Sequence, residues 1–179
     1  MLEIVIPDTE LWDEINNQFI TEKGTTLRLE HSLVSLSKWE SKWQKPFLTK
    51  QTKTLEESLD YIKCMTLTQN VDPKVYERLS RKHIEEINKY MESPMTATYI
   101  SQQQKRGSSE QTTAELIYYW MISLNIPFEC QKWHLNRLLT LINVCSVKNS
   151  PRKKMSQKDL MSRNAALNAA RKKQLNTKG

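Results

Sequence analysis

Glycine is almost missing from this sequence: 179 residues hold only Gly24, Gly107 and Gly179. Glycines so isolated cannot form a phosphate-cradling loop, which brings several backbone N–H groups onto one ligand through closely spaced glycines. They also argue against a body built mainly of strands joined by tight turns. Cysteine is scarce too. Cys64, Cys130 and Cys145 are odd in number and each sits in an apolar setting, which fits reduced core thiols better than a disulfide framework. No apolar run approaches the roughly 18 residues of a membrane helix. The opening "MLEIVIPDTELWDE" lacks the basic lead and apolar stretch of a signal peptide, so a cytoplasmic protein is expected.

Patterns that carry chemistry are missing as well. Cys130 and His134 are four apart and would share a helical face, but no CxxC or HxxxH accompanies them. Zinc wants four ligands at a recognisable spacing, so a buried thiol and a hydrogen-bonded histidine are expected there instead. His83 in "KHIEEI" stands in the wrong order for a metalloprotease helix, and no second histidine follows at the required distance. No serine lies in GxSxG. The sequence leads one to expect no enzyme, no metal and no cofactor.

What is present is a lopsided charge. Residues 151–179 contain nine Lys or Arg and one acid, Asp159, a net +8. The rest, with 18 Lys or Arg against 19 Asp or Glu, is close to neutral. The net +7 of the chain is therefore a property of its last segment.

The patterning predicts an α+β fold. "LEIVI", "ELWDE", "NQFIT" and "TTLRLEH" read as short strands of an N-terminal antiparallel meander over residues 1–31. From Ser32 the period becomes helical, and a helical body is expected over residues 32–147. Leu33, Leu36, Trp39, Trp43 and Phe47 recur at helix spacing, with Pro46 at the exit. Thr54 and Glu57 have the spacing of a capping box, ahead of a buried face of Leu55, Leu59, Ile62 and Met65. Asp72-Pro73 suggests an N-cap followed by proline in the first turn. Ile84, Ile87 and Met91 mark a further helix, "PMTATYI" is extended in character, and residues 101–111 read as an exposed loop. Thr112 with Glu115 suggests a cap for a stripe of Leu116, Ile117, Trp120, Met121 and Leu124. A second stripe of Leu135, Leu138, Leu139, Ile142 and Cys145 would make these two helices the central core pair. Five tryptophans are many for this length. Those on helices are expected in the core, and Trp12, on a short strand, is assigned to the surface as a partner contact.

Residues 148–179 read as a basic helical arm, with Ser156 and Asp159 capping a helix that runs to about Gln174. Leu160, Leu167 and Leu175 fall in one sector with Met161 alongside, while Lys158, Arg163, Arg171, Lys172 and Lys173 scatter around the circumference. A thin leucine edge cannot fold unsupported and needs a surface to lie on. Docking to a protein is favoured over a solvated tail or a nucleic-acid arm. The tail has no aromatic residue for base stacking, although non-specific attraction to nucleic acid stays open.

Four stretches, "TTLRLEHSLVSLSKWESKW", "YIKCMTLTQNVDPKVY", "IYYWMISLNIPFECQKWHLNRLLTLI" and the terminal "RNAALNAARKKQLNTKG", resemble a group of proteins encoded by long-tailed, siphovirus-type bacteriophages. The likeness spans nearly the whole length. Such proteins are assigned as tail assembly chaperones. The resemblance implies a non-enzymatic protein of the host cytoplasm that binds the tape measure protein and the tail tube protein and is capable of self-association. Trp12, the leucine edge and the basic residues Arg163, Arg171, Lys172 and Lys173 are its candidate contacts. The other classes consistent with the sequence are a structural virion component and a DNA-binding phage protein that uses the basic arm.

Overall fold

The alternating residues of "LEIVI" and "TTLRL" build the first ladder. A computed structural model describes residues 1–14, 17–49, 51–98, 111–149 and 156–175, and the chain divides into two units, Met1–Lys148 and Asn149–Gly179. β1 (Leu2–Ile6) runs antiparallel to β4 (Thr25–Leu29), with Ile4 opposite Leu27. Ile4, Ile6, Leu27 and Leu29 are buried, while Glu3 and Val5 are exposed. β2 (Thr9–Asp13) and β3 (Gln18–Glu22) form a second antiparallel ladder.

The expected meander is corrected here. A meander pairs β1 with β2 and β3 with β4, whereas the ladders are β1 with β4 and β2 with β3. The residue numbers of every cross-strand pair have the same sum in both ladders. The four strands are one long hairpin in a single register, interrupted at Pro7–Asp8 and Lys23–Gly24. Proline has no N–H to give the ladder. A Cβ on Gly24 would stand 2.5 Å from the Ile6 carbonyl oxygen and 2.8 Å from the Asp8 nitrogen. The two backbones approach too closely there for any side chain. The segment after the second helix covers the outer edge of β4, through Leu67 N–H to the Arg28 carbonyl (2.7 Å) and Glu30 N–H to the Met65 carbonyl (2.9 Å).

The helical body is organised around α1 (Leu33–Trp43), whose N-cap Ser32 accepts from the Ser35 N–H. Leu33, Leu36 and Trp39 are buried along it, and Phe47, beyond the exit, stacks on Tyr61 at 3.8 Å between ring centroids. α2 (Leu55–Met65) opens with the expected Thr54–Glu57 capping box. Its buried face is rotated from the expected one. Leu55 is 77% exposed, whereas Glu57, Asp60, Tyr61, Ile62 and Met65 are buried. The inward carboxylates have partners that offset the cost of burial: Lys45 meets Glu57 at 2.7 Å, and Asp60 is held by Lys42 and by the Trp43 indole N–H.

α3 (Lys74–Glu77) is a single turn that starts one residue later than expected, with Pro73 itself in the cap position and Asp72 Oδ1 accepting from the Lys74 N–H. α4 (Arg81–Glu92) buries only Ile87. Met95 has φ 48° and residues 96–97 are bends, so the described part of "PMTATYI" is not extended. Residues 101–110, read as a loop, lie outside the described residues. α5 (Ala114–Ser123) is capped by Thr113, not Thr112, and buries Ala114, Ile117 and Met121. Trp120 is half-buried rather than central. A 3-10 turn (Phe128–Lys132) leads to α6 (Leu135–Asn149), which buries Leu135, Leu138 and Ile142. The expected α5–α6 central pair gives way to α1, which packs against α2, α5 and the 3-10 turn. In the second unit, α7 (Gln157–Leu175) starts as expected: Asp159 N–H donates to Ser156 Oγ at 3.1 Å and the Ser156 hydroxyl to Asp159 Oδ2 at 2.7 Å.

Candidate functional site

Beyond the point where the ladder is interrupted, the hairpin carries an exposed aromatic pair. Trp12 is 50% exposed and Phe19, directly opposite it, 68%; their rings meet edge to face at 4.9 Å. Such a pair contributes about 0.5–1.5 kcal/mol beyond its area burial. Counting in twos along each strand, Trp12 and Phe19 keep the phase of Ile4 and Leu27. The alternation that fills the core thus runs on into a part of the hairpin where Trp12 and Phe19 stay open to solvent. Ile20, in the other phase, is also exposed. Among the described residues no further strand pairs with β2 or β3. The sequence assigned Trp12 to the surface, and the structure places it there. Phe19 was missed because a strand residue shows its cross-strand neighbour only once the register is known.

One side chain fixes the break. Arg78, just past α3, donates to the Pro7 carbonyl, to Thr9 Oγ1 (2.7 Å) and to the Lys23 carbonyl (3.3 Å), and lies 3.7 Å from Glu22 Oε2. It holds both strands of the hairpin where they have no ladder bonds of their own. A guanidinium suits this role because its planar donors serve several acceptors at once. Beside it is a cavity of about 380 Å³ lined by Ile6, Thr9, Glu22, Arg78, Ser80 and His83. The Ser80 and His83 side chains are occupied in capping α4, each accepting from the other's backbone N–H at 3.3 Å.

The arm residues share one element. Leu160, Leu167 and Leu175 on α7 are 48%, 45% and 72% exposed, and no residue of the helix is buried. Arg163, Arg171, Lys172 and Lys173 lie on the same helix and are exposed. The charges surround the helix instead of leaving a broad apolar face. Trp12 belongs to the first unit and these residues to the second.

A buried polar cluster lies at the junction of β4, α2, α4 and α6. Tyr61 Oη and His31 Nδ1 share a 2.6 Å hydrogen bond, and the His31 and His134 rings are 5.2 Å apart. His134 Nε2 lies 3.1 Å from the Tyr90 carbonyl, while its Nδ1 has no hydrogen-bond partner. The Tyr90 hydroxyl donates to Glu30 at 2.8 Å, and the other Glu30 oxygen meets the terminal ammonium at 3.0 Å. Burial, then the nearby His134, pushes the His31 pKa down from 6.5 to about 4. Burial also lowers His134 and holds the Tyr61 phenol well above its ordinary value. Cys130 is buried. Among the described residues no group of three or more His, Cys, Asp or Glu is placed to hold a metal ion. None of the described helices is long and apolar enough to cross a membrane. Comparison with models of protein families, with curated proteins and with solved structures finds no match to this chain.

Proposed function

We propose that this chain is a non-enzymatic assembly factor, a tail assembly chaperone of a long-tailed bacteriophage. It binds the tape measure protein and the tail tube protein in the host cytoplasm during tail assembly. The observation that carries the reading is the division of labour between the units. A well-filled core in the first unit leaves an aromatic hairpin exposed, and the described helix of the second unit, Gln157–Leu175, has no buried residue. Surfaces of this kind gain stability by covering a partner. The sequence resemblance described above supplies the partner class. A tape measure is a long helical chain with apolar stripes, and it suits the Trp12–Phe19 pair and the Leu160, Leu167 and Leu175 edge.

The basic arm specifically favours a second reading, in which the chain binds DNA by charge alone. The two readings rank substitutions differently. Exposed single charges are worth under about 1 kcal/mol each, whereas buried leucines are worth roughly 1.5–3 kcal/mol. A chaperone should therefore be crippled by Leu160→Glu with Leu167→Glu and only mildly weakened by neutralising Lys172 and Lys173. DNA binding should show the reverse, with affinity falling steeply as salt rises. The test is to produce the chain together with the tape measure protein and assay how much of the latter stays soluble. A tape measure that aggregates to the same extent with or without the chain contradicts the proposal. A chain recovered stoichiometrically in purified virions would identify a structural component instead.

A further inference from the structure

We propose that Lys53 is a modification site, an amine placed to take a small acyl group from an acyl phosphate. The residue stands directly before Thr54, the N-cap of α2. Among the described lysines it alone is not exposed. Its ammonium nitrogen lies 4.2 Å from the centroid of the buried Phe47 ring. Among the described residues it has neither a hydrogen bond nor an ion pair. Lys42 and Lys45, close by in sequence, are instead paired with Asp60 and Glu57. Lys53 lines a cavity of about 60 Å³ together with Trp39, Lys45, Thr49, Thr52 and Glu57.

An amine attacks only in its unprotonated form, so a lysine drawn out of water with no carboxylate bound to it is the better nucleophile. Burial lowers the Lys53 pKa, and the Glu57 charge opposes this only in part. Glu57 is already engaged: Oε1 accepts from Lys45 at 2.7 Å and Oε2 from the Thr54 N–H at 2.8 Å. In the step, the Lys53 lone pair attacks the carbonyl carbon of the acyl phosphate. The bond from that carbon to the bridging oxygen breaks, and inorganic phosphate leaves with the bonding pair. The amine proton passes to solvent and an amide remains, so nothing is oxidised or reduced. Lys45 and Thr52, on the same cavity, carry donors suited to a phosphate. The site is separate from the hairpin and the arm, and the inference is independent of the proposed function.

The experiment treats the full chain with acetyl phosphate to low conversion over a range of pH and maps the acetylated lysines by mass spectrometry. Lys53 should react at least about threefold faster than the exposed Lys82 and Lys89, and its rate should level off at a lower pH. In guanidinium chloride, with the chain unfolded, the three should react alike. The acetyl ester of N-hydroxysuccinimide, which carries no phosphate, should show the same order with a smaller preference. Lys45→Met leaves the Glu57 charge unpaired, so Lys53 should hold its proton more tightly and react about twofold or more slowly. A folded Lys53 that reacts no faster than Lys82 and Lys89 overturns the proposal. So does a preference that persists after unfolding, or a Lys45→Met protein that reacts faster at Lys53. An ester preference as large as that of acetyl phosphate would overturn the acyl phosphate as the donor.

Discussion

Replacing Glu40 tests how the helical body is held together. This residue lies in the middle of α1 and is only 7% exposed. Its two oxygens accept from separate backbone N–H groups, Phe47 at 2.7 Å and Ala114 at 2.7 Å. The first bond closes the chain as it leaves α1. The second satisfies the opening residue of α5, whose N–H has no acceptor within its own helix and whose position favours a negative charge. Glu40→Gln keeps the shape but turns one acceptor into an amide that faces an N–H head on. A buried hydrogen bond to a charged group contributes about 1.5–3 kcal/mol, and an orphaned donor adds its own desolvation of about 1–3 kcal/mol. Burying a neutral amide in place of a carboxylate offsets part of this. The expected net loss is about 2–4 kcal/mol for Glu40→Gln and about 3–5 kcal/mol for Glu40→Ala, which orphans both donors and leaves a cavity. Urea unfolding followed by tryptophan fluorescence would measure it. A Glu40→Gln midpoint matching the parent's would refute the idea that this carboxylate joins α1 to α5.

Acid should weaken the fold before its carboxylates titrate. His31 binds a proton near pH 6.5 when unfolded but only near pH 4 when folded, so stability falls as pH drops through that window, by about 2 kcal/mol between pH 7 and pH 5. An imidazole resonance of His31 titrating near 6.5 in the folded protein would contradict this. Trp39, 1% exposed and bonded through its indole N–H to the Glu57 carbonyl at 2.9 Å, should cost about 3–5 kcal/mol as Trp39→Ala. Trp120→Ala, at a half-buried position, should cost about 1–2 kcal/mol; equal losses in thermal melts would show the burial assignment to be wrong. Gly24→Ala places a Cβ against the Ile6 carbonyl, so it should lower stability by about 1–3 kcal/mol and loosen hydrogen exchange along β2 and β3. Unchanged exchange there would show that the hairpin tolerates the side chain.

Local signals were legible where the chemistry is local. The Thr54–Glu57 box and the Ser156–Asp159 cap join residues three apart, and both are present. The stripes of α1 and α6 could be read because their apolar residues face a single core. What escaped depends on contacts distant in sequence. "LEIVI" and "TTLRL" announce strands, but nothing in either says that they pair with each other around an inserted hairpin. The buried face of α2 was misjudged because Glu57 and Asp60 look like surface residues until Lys45, Lys42 and Trp43 are seen beside them. Glu40, inside "SKWESKW", gives no sign that it reaches Ala114. Arg78 was one charge among many until the break in the hairpin supplied its acceptors. Within the candidate site, Trp12 and the arm could be named from sequence, whereas Phe19 needed the register.

The most direct test of the proposed function is a capture experiment on tape measure and tail tube proteins produced together with this chain. Four forms would be compared: the full sequence, a chain ending at Asn149, Leu160→Glu with Leu167→Glu, and Trp12→Ala with Phe19→Ala. The shortened chain and the leucine variant should melt at the parent's temperature, because Met1–Lys148 is a separate unit and Leu160 and Leu167 are exposed, whereas the hairpin variant, which loses the Trp12–Phe19 contact, should melt slightly lower. The account predicts that the full chain retains the tape measure protein, that the shortened chain and the leucine variant lose it, and that the hairpin variant retains less. Retention by the shortened chain equal to that of the full chain would contradict the assignment of the arm as the docking element.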